Sequence, residues 1–368
     1  MPRRVAGLGV LKYRLLAFVA VFGPGFITAN VDNDPGGILT YSQAGARLGY
    51  VLLWTLIPTT IALIVVQEMA ARMGAVTGKG LADLIREEFG LRATFFVMVV
   101  LGLADFGNIM AEFAGLASGM GIFGVTKYLC VPVGAAVVWF VVVRGSYKPV
   151  ERILILLSLI YFTYPVSAIL AHPHWLQAVK DTFVPHVSRQ SDYLVLLVGL
   201  VGTTITPWMQ FYLQASIVEK GVTRRGYKAS RLDVVTGCVF TDVVAWFIIV
   251  ACAATLYVHG FRDIKYAADA AQALKPLAGD YAYILFAVGL FNASLFAASI
   301  LPLSTAYTVC EGLGFESGIG RKFGEAPFFY WLYTFLIAAG GALVLMIPSE
   351  RLVNIVLWSQ VLNGVVLP

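Results

Sequence analysis

Gly23-Pro24-Gly25-Phe26-Ile27-Thr28-Ala29-Asn30-Val31-Asp32-Asn33-Asp34-Pro35-Gly36-Gly37 interrupts an apolar run that resumes at Ile38. No regular helix continues through Asp-Pro-Gly-Gly, because Pro35 has no N–H to donate and two glycines follow it. The flanking pieces are each shorter than the ~20 residues a helix needs to cross a bilayer. The stretch therefore reads as one membrane span built from two half-helices and an unwound segment. A second interruption lies at Gly202-Thr203-Thr204-Ile205-Thr206-Pro207-Trp208. Taken alone, that one reads as a proline kink.

The rest of the chain supplies the setting. Its 368 residues carry 47 charged side chains, or 13%, and 59% are hydrophobic. A soluble chain of this length carries roughly 90 charges. Disorder, a nucleic-acid module and an ordinary cytosolic enzyme are excluded. Ten apolar stretches lie at about 15–46, 50–72, 91–121, 128–143, 153–171, 192–217, 234–258, 280–311, 327–347 and 351–368. Strand alternation is absent, so the fold class is an all-α polytopic membrane protein. The two interruptions fall in spans one and six, each the first of five. That correspondence points to a 5+5 inverted repeat with its binding site at the bilayer midplane. The expected organisation is a first repeat over 1–173, an external loop over 174–190 and a second repeat over 191–368. The tenth span is cut off at Pro368, which leaves room for an eleventh beyond it.

Basic residues orient the bundle. With the N-terminus in the cytoplasm, 18 of the 26 Lys and Arg fall on the inner side, among them Arg3, Arg4, Lys79, Arg144, Lys220, Arg224, Arg225 and Lys322. This is the positive-inside pattern of a plasma-membrane protein, its partner being the lipid bilayer. No nucleic-acid contact or obligatory protein partner is indicated, and no cleavable signal precedes the first span. Cys130, Cys238, Cys252 and Cys310 sit singly in apolar stretches and read as buried small hydrophobes. No enzyme motif is present, and no loop is long enough for a nucleotide-driven pump.

The informative residues are the polar ones inside the spans. Unwound segments free backbone carbonyls and half-helix C-terminal ends, and both attract cations. Asp34 adds a full negative charge where no Lys or Arg lies in the cores of spans one or six, so a transported cation is its natural partner. Thr203 and Thr206 stand one turn apart and present hydroxyls or positions for water. These are hard oxygen donors, suited to Mg²⁺ or Mn²⁺, and no Cys or His accompanies them. Met209, three positions past Thr206, reads as packing.

At these residues the chain resembles the Nramp family (natural resistance-associated macrophage protein) of divalent-metal transporters. The stretch 23–37, followed by Gln43-Ala44-Gly45-Ala46, is similar to that family's first helix with its Asp-Pro-Gly-Asn signature. Gln67 to Gly74, with Val76-Thr77-Gly78-Lys79 and Leu81-Ala82, resembles its second helix and following loop. Ala111-Glu112-Phe113 resembles its third helix, and Ser359-Gln360-Val361 its tenth. The resemblance implies an amino-acid-transporter-like fold of ten core helices and a metal-facing Gln360. It implies no cofactor, the divalent cation being the substrate.

The departures matter as much. The family's Asn after Asp-Pro-Gly is Gly37 here, its Met-Pro-His is Thr206-Pro207-Trp208, and an Ala three residues before that Met is Thr203. Loss of the sulfur and of the amide implies a roomier, oxygen-lined cavity, which suits a largely hydrated Mg²⁺. The pattern resembles the Nramp-related magnesium transporters, which also carry Mn²⁺. Acids of the family's third helix are Gly102 and Ile109 here, and its histidine is Trp208, so uncoupled transport is expected. Glu112 either shapes the aqueous path or bonds between helices, and Asp105 either replaces a lost acid or is structural. Asp32 either attracts cations at the vestibule or is wetted there. His172, His174 and His186 belong to the external loop, and Asp242 and Glu68 to span ends. Competing readings are a proton-coupled Mn²⁺/Fe²⁺ symporter, a sodium-coupled carrier of organic solutes, and a Mg²⁺ channel.

Overall fold

The computed structural model describes residues 23–145, 147–262, 264, 267–348, 359–360 and 362–365. Eight helices among them are long and apolar enough to cross a membrane: Leu53–Thr77, Leu81–Gly121, Lys127–Arg144, Tyr147–Leu170, Ser191–Glu219, Tyr227–Tyr257, Gly279–Leu313 and Pro327–Met346. They correspond to expected spans two to nine. Most of the expected tenth span, and span one before Gly23, lie outside the described residues.

Span one is broken as the sequence requires. Helix α1 (Pro24–Asn30) passes into a 3-10 turn over Val31–Asn33, Asp34 is extended, and α2 (Pro35–Leu48) begins at the proline. Proline supplies the first position of a helix, where its missing N–H costs nothing, and forces the residue before it out of helical geometry. Span six follows the same local rules. Helix α9 (Ser191–Thr204) stops, Ile205 and Thr206 are extended, and α10 (Pro207–Glu219) starts at the next proline.

The intervening helices are α3 (Leu56–Thr77), α4 (Leu81–Gly121), α5 (Lys127–Arg144), α6 (Tyr147–Leu159), α7 (Thr163–Leu170) and α8 (Trp175–Phe183). After the second break come α11 (Tyr227–Cys252), α12 (Ala267–Leu313) and α13 (Pro327–Met346). The stretch expected as an open external loop over 174–190 therefore contains a helix. Its Trp175 stacks on Trp246 at 6.3 Å, and Thr182 Oγ1 accepts from the Trp246 indole at 2.8 Å.

The two broken spans pack with their halves exchanged, α1 against α10 and α2 against α9. That crossed pairing places the breaks side by side. Helix α11 covers α1, α2 and α3 from one flank, while α4 and α12 pack along each other behind α2. These last two helices carry matching kinks. Gly90 interrupts α4 at φ 79°, ψ 173°, and Gly279 interrupts α12 at φ 88°, ψ 172°. They lie in the third span of each half, so the inverted repeat extends to backbone detail.

The outer surface is apolar, with Phe96, Leu103, Phe140 and Phe335 all exposed. The interior holds many of the polar side chains, the inverse of a soluble protein and the arrangement that lipid demands. All four cysteines are free and buried.

Candidate cation site

Asp34 sits where α1 and α2 separate. Its Oδ1 accepts from the Gly37 N–H at 2.5 Å, which makes it the N-cap of α2. It is 9% exposed, and Glu112 of α4 is its carboxyl neighbour. Side chains from two further elements close around Gly36 and Gly37. A Cβ at Gly37 would stand 3.2 Å from Thr203 Oγ1 and 3.3 Å from Asp34 Oδ1. A Cβ at Gly36 would run into the Gln360 amide and lie 3.2 Å from Asp34 Oδ1.

The donors around Asp34 are unsatisfied. Thr203 Oγ1, both oxygens of Glu112 and both polar atoms of the Gln360 amide are buried without a hydrogen-bond partner. Buried polar groups are normally paired, because desolvating one without compensation costs about 1–3 kcal/mol. A group of orphaned oxygens around one carboxylate is the expected signature of a cation or its hydration water. Among the described residues no three His, Cys, Asp or Glu side chains converge as a metal cluster. The side chains gathered here offer one or two carboxylates and neutral oxygens as cation ligands.

The remaining expected residues separate into groups. Thr206 Oγ1 is likewise orphaned, at the start of α10, while its N–H points to Met209 Sδ at 3.4 Å. That sulfur also receives the Gln67 amide at 3.8 Å, so it is occupied within the core. Trp208 is buried; its ring lies 6.3 Å from Tyr212, and its carbonyl accepts from Ser304 at 3.2 Å. Asp105 accepts from Thr305 Oγ1 at 2.9 Å, a bond between α4 and α12. Asp32 is buried, rather than standing in an open vestibule.

Two expectations change. Asp242 does not lie at a span end: it is buried in the middle of α11, within electrostatic reach of Asp32. An acid eight residues inside an apolar run was the available signal. The expected extra room at Gly37 is also absent in this conformation, because a Cβ there would collide with the Asp32 carbonyl. Two pairings were invisible beforehand: Asn108 exchanges amide bonds with Asn363 at 3.3 and 3.2 Å. Tyr41 meets Thr204 at 2.9 Å. Farther along, Asp233 of α11 accepts from the N–H groups of Gly23, Gly25 and Phe26 at 2.8, 2.8 and 3.1 Å, and so caps α1.

Fold and site together define the class: a polytopic, all-helical membrane protein of the 5+5 inverted-repeat, amino-acid-transporter-like fold, broken at helices one and six. Residues 25–368 match the family model Nramp, "Natural resistance-associated macrophage protein-like", and the chain belongs to that family. A relative, the divalent metal cation transporter MntH of Erwinia tasmaniensis, is 30% identical over 302 residues, 80% of this chain and 72% of that protein. The chain is also similar to the Eremococcus coleocola manganese transporter, solved in complex with an aromatic bis-isothiourea compound. The TM-score is 0.75 at 22% identity, over 94% of this chain and 76% of that one. Mutant structures of the same transporter match with TM-score 0.75 at 21% identity.

Proposed function

We propose that the protein carries divalent metal cations across the plasma membrane by alternating access, Mg²⁺ chiefly and Mn²⁺ as well. One observation carries this reading: Asp34 lies between two half-helices, ringed by buried oxygens that have no hydrogen-bond partner in the protein. The manganese and divalent-metal transport named for its relatives supports the general activity. The preference for Mg²⁺ rests on the donor set. The site offers carboxylate, hydroxyl and amide oxygens, while the Met209 sulfur is engaged by Gln67 and Thr206. Hard oxygens do not reward a transition metal over Mg²⁺ as a thioether would.

Transport without proton coupling goes with this reading, as does a cytoplasmic N-terminus set by the basic loops. A potential of ~100 mV contributes about 2.3 kcal/mol per charge, and about twice that for a divalent ion. Uptake into proteoliposomes with a pH reporter inside tests all of it. Expected are Mg²⁺ and Mn²⁺ uptake that rises with an inside-negative potential, and no acidification. Acidification that tracks metal uptake would assign the chain to proton-coupled symport. Failure of either metal to enter would remove the metal reading.

A further inference from the structure

Asp32 and Asp242 are two further buried acids, the first also within electrostatic reach of Asp34. Asp32 lies in the 3-10 turn after α1, and Asp242 lies midway along α11. They are 3% and 4% exposed, and none of their four carboxylate oxygens has a hydrogen-bond partner. The two carboxyls are within electrostatic reach of each other.

Asn33, next to Asp32 in sequence, adds an uncharged acceptor on the segment that touches α11. Its Nδ2 donates to Thr241 O at 3.2 Å and to Thr241 Oγ1 at 2.6 Å. The amide is thereby pinned to the residue preceding Asp242, and its Oδ1 is buried with no donor. Two of the nearby hydroxyls have committed their protons elsewhere, while the buried Tyr161 hydroxyl, in electrostatic reach of Asp32, has no partner. Thr60, a neighbour of Asp242, donates to Leu56 O at 2.6 Å. Tyr41, in reach of both acids, is joined to Thr204 Oγ1 at 2.9 Å. Thr204 itself donates to Leu200 O at 2.8 Å, so the Tyr41 proton goes to Thr204.

Two facing carboxylates buried without donors are held apart by repulsion and penalised by desolvation. Protons or a cation relieve this. An amide oxygen accepts a proton poorly but coordinates a hard cation well, so the third acceptor favours the cation. Two carboxylates match a charge of two. We propose that Asp32, Asp242 and the Asn33 amide oxygen form a second binding position for a divalent cation, beside Asp34 and separate from it. The proposal rests on the metal-transport reading above. Asp32 and Asp34 share the unwound segment, so this position stages an ion one step from the Asp34 site.

Mn²⁺ binding to the purified full-length chain, counted by loss of the free-ion EPR signal, tests it. The expected result is two ions per chain for the wild type, one for Asp242→Asn, one for Asp34→Asn and none for the double variant. Thermal unfolding in detergent verifies that each variant is folded, and Asp32→Asn replaces Asp242→Asn should the latter not fold. One ion in the wild type, lost in Asp34→Asn and kept in Asp242→Asn, overturns the second position and leaves the transport reading intact. No bound ion in the wild type overturns both.

Discussion

The N–H of Gly37 donates to Asp34 Oδ1 across 2.5 Å, so the acid at the break in span one is also the cap of the helix that follows. Capping holds the carboxylate in place before any ion arrives, which is the preorganisation a binding site needs. Asn caps helices as well as Asp does. Asp34→Asn should therefore keep the melting temperature close to wild type while removing the charge. At about 4 kcal/mol for unit charges 4 Å apart near an effective dielectric of 20, Mn²⁺ affinity should fall by about a thousandfold. Titration calorimetry beside thermal unfolding separates the two roles.

Thr206 contributes an orphaned hydroxyl where relatives are expected to carry a methionine. Thr206→Met should raise the ratio of Mn²⁺ to Mg²⁺ uptake several-fold, because a thioether favours the softer ion. Gly37→Asn is a poorer test than the sequence suggests. Its Cβ meets the Asp32 carbonyl, so the expected first effect is lower stability, seen as a reduced melting temperature. An unchanged uptake ratio in Thr206→Met would refute the donor-set account of selectivity.

Gly90 and Gly279 hold matching left-handed kinks with open space around them. Alanine at either position meets no neighbour and suffers only the backbone penalty of a region that is essentially glycine-only, about 1–3 kcal/mol. Each single variant should lower stability by that amount, and the double variant by the sum, since distant sites add. Urea or thermal titration in detergent reads both.

Asp233 satisfies three N–H groups at the start of α1. Asp233→Ala leaves them buried without an acceptor, at a cost of about 1–3 kcal/mol each if water cannot replace it. Hydrogen exchange over 23–30 should accelerate strongly in that variant and less in Asp233→Asn. Exchange unchanged from wild type would show that α1 is held by packing alone.

Much of the architecture was legible because its causes are local. A proline acts on the residue before it and on the turn it starts, so both helix breaks could be placed within a few residues. Spans two to nine followed from length and apolarity. The helix over Trp175–Phe183 was not legible because its nine residues carry no long apolar run. The depth of Asp242 was legible only from its place eight residues inside an apolar run, and its neighbour Asp32 not at all.

The sequence alone determined that the chain is a bundle of apolar helices, where two of them break, and that Asp34 stands unneutralised at one break. Only tertiary structure decided what surrounds that acid. Gln360 reaches Gly36 from the far end of the chain, Thr203 closes on Gly37, and Asp32 comes within electrostatic reach of Asp242 across more than 200 residues. Backbone breaks are set by steric rules within a few residues, whereas a cation site is set by which distant oxygens packing leaves without donors.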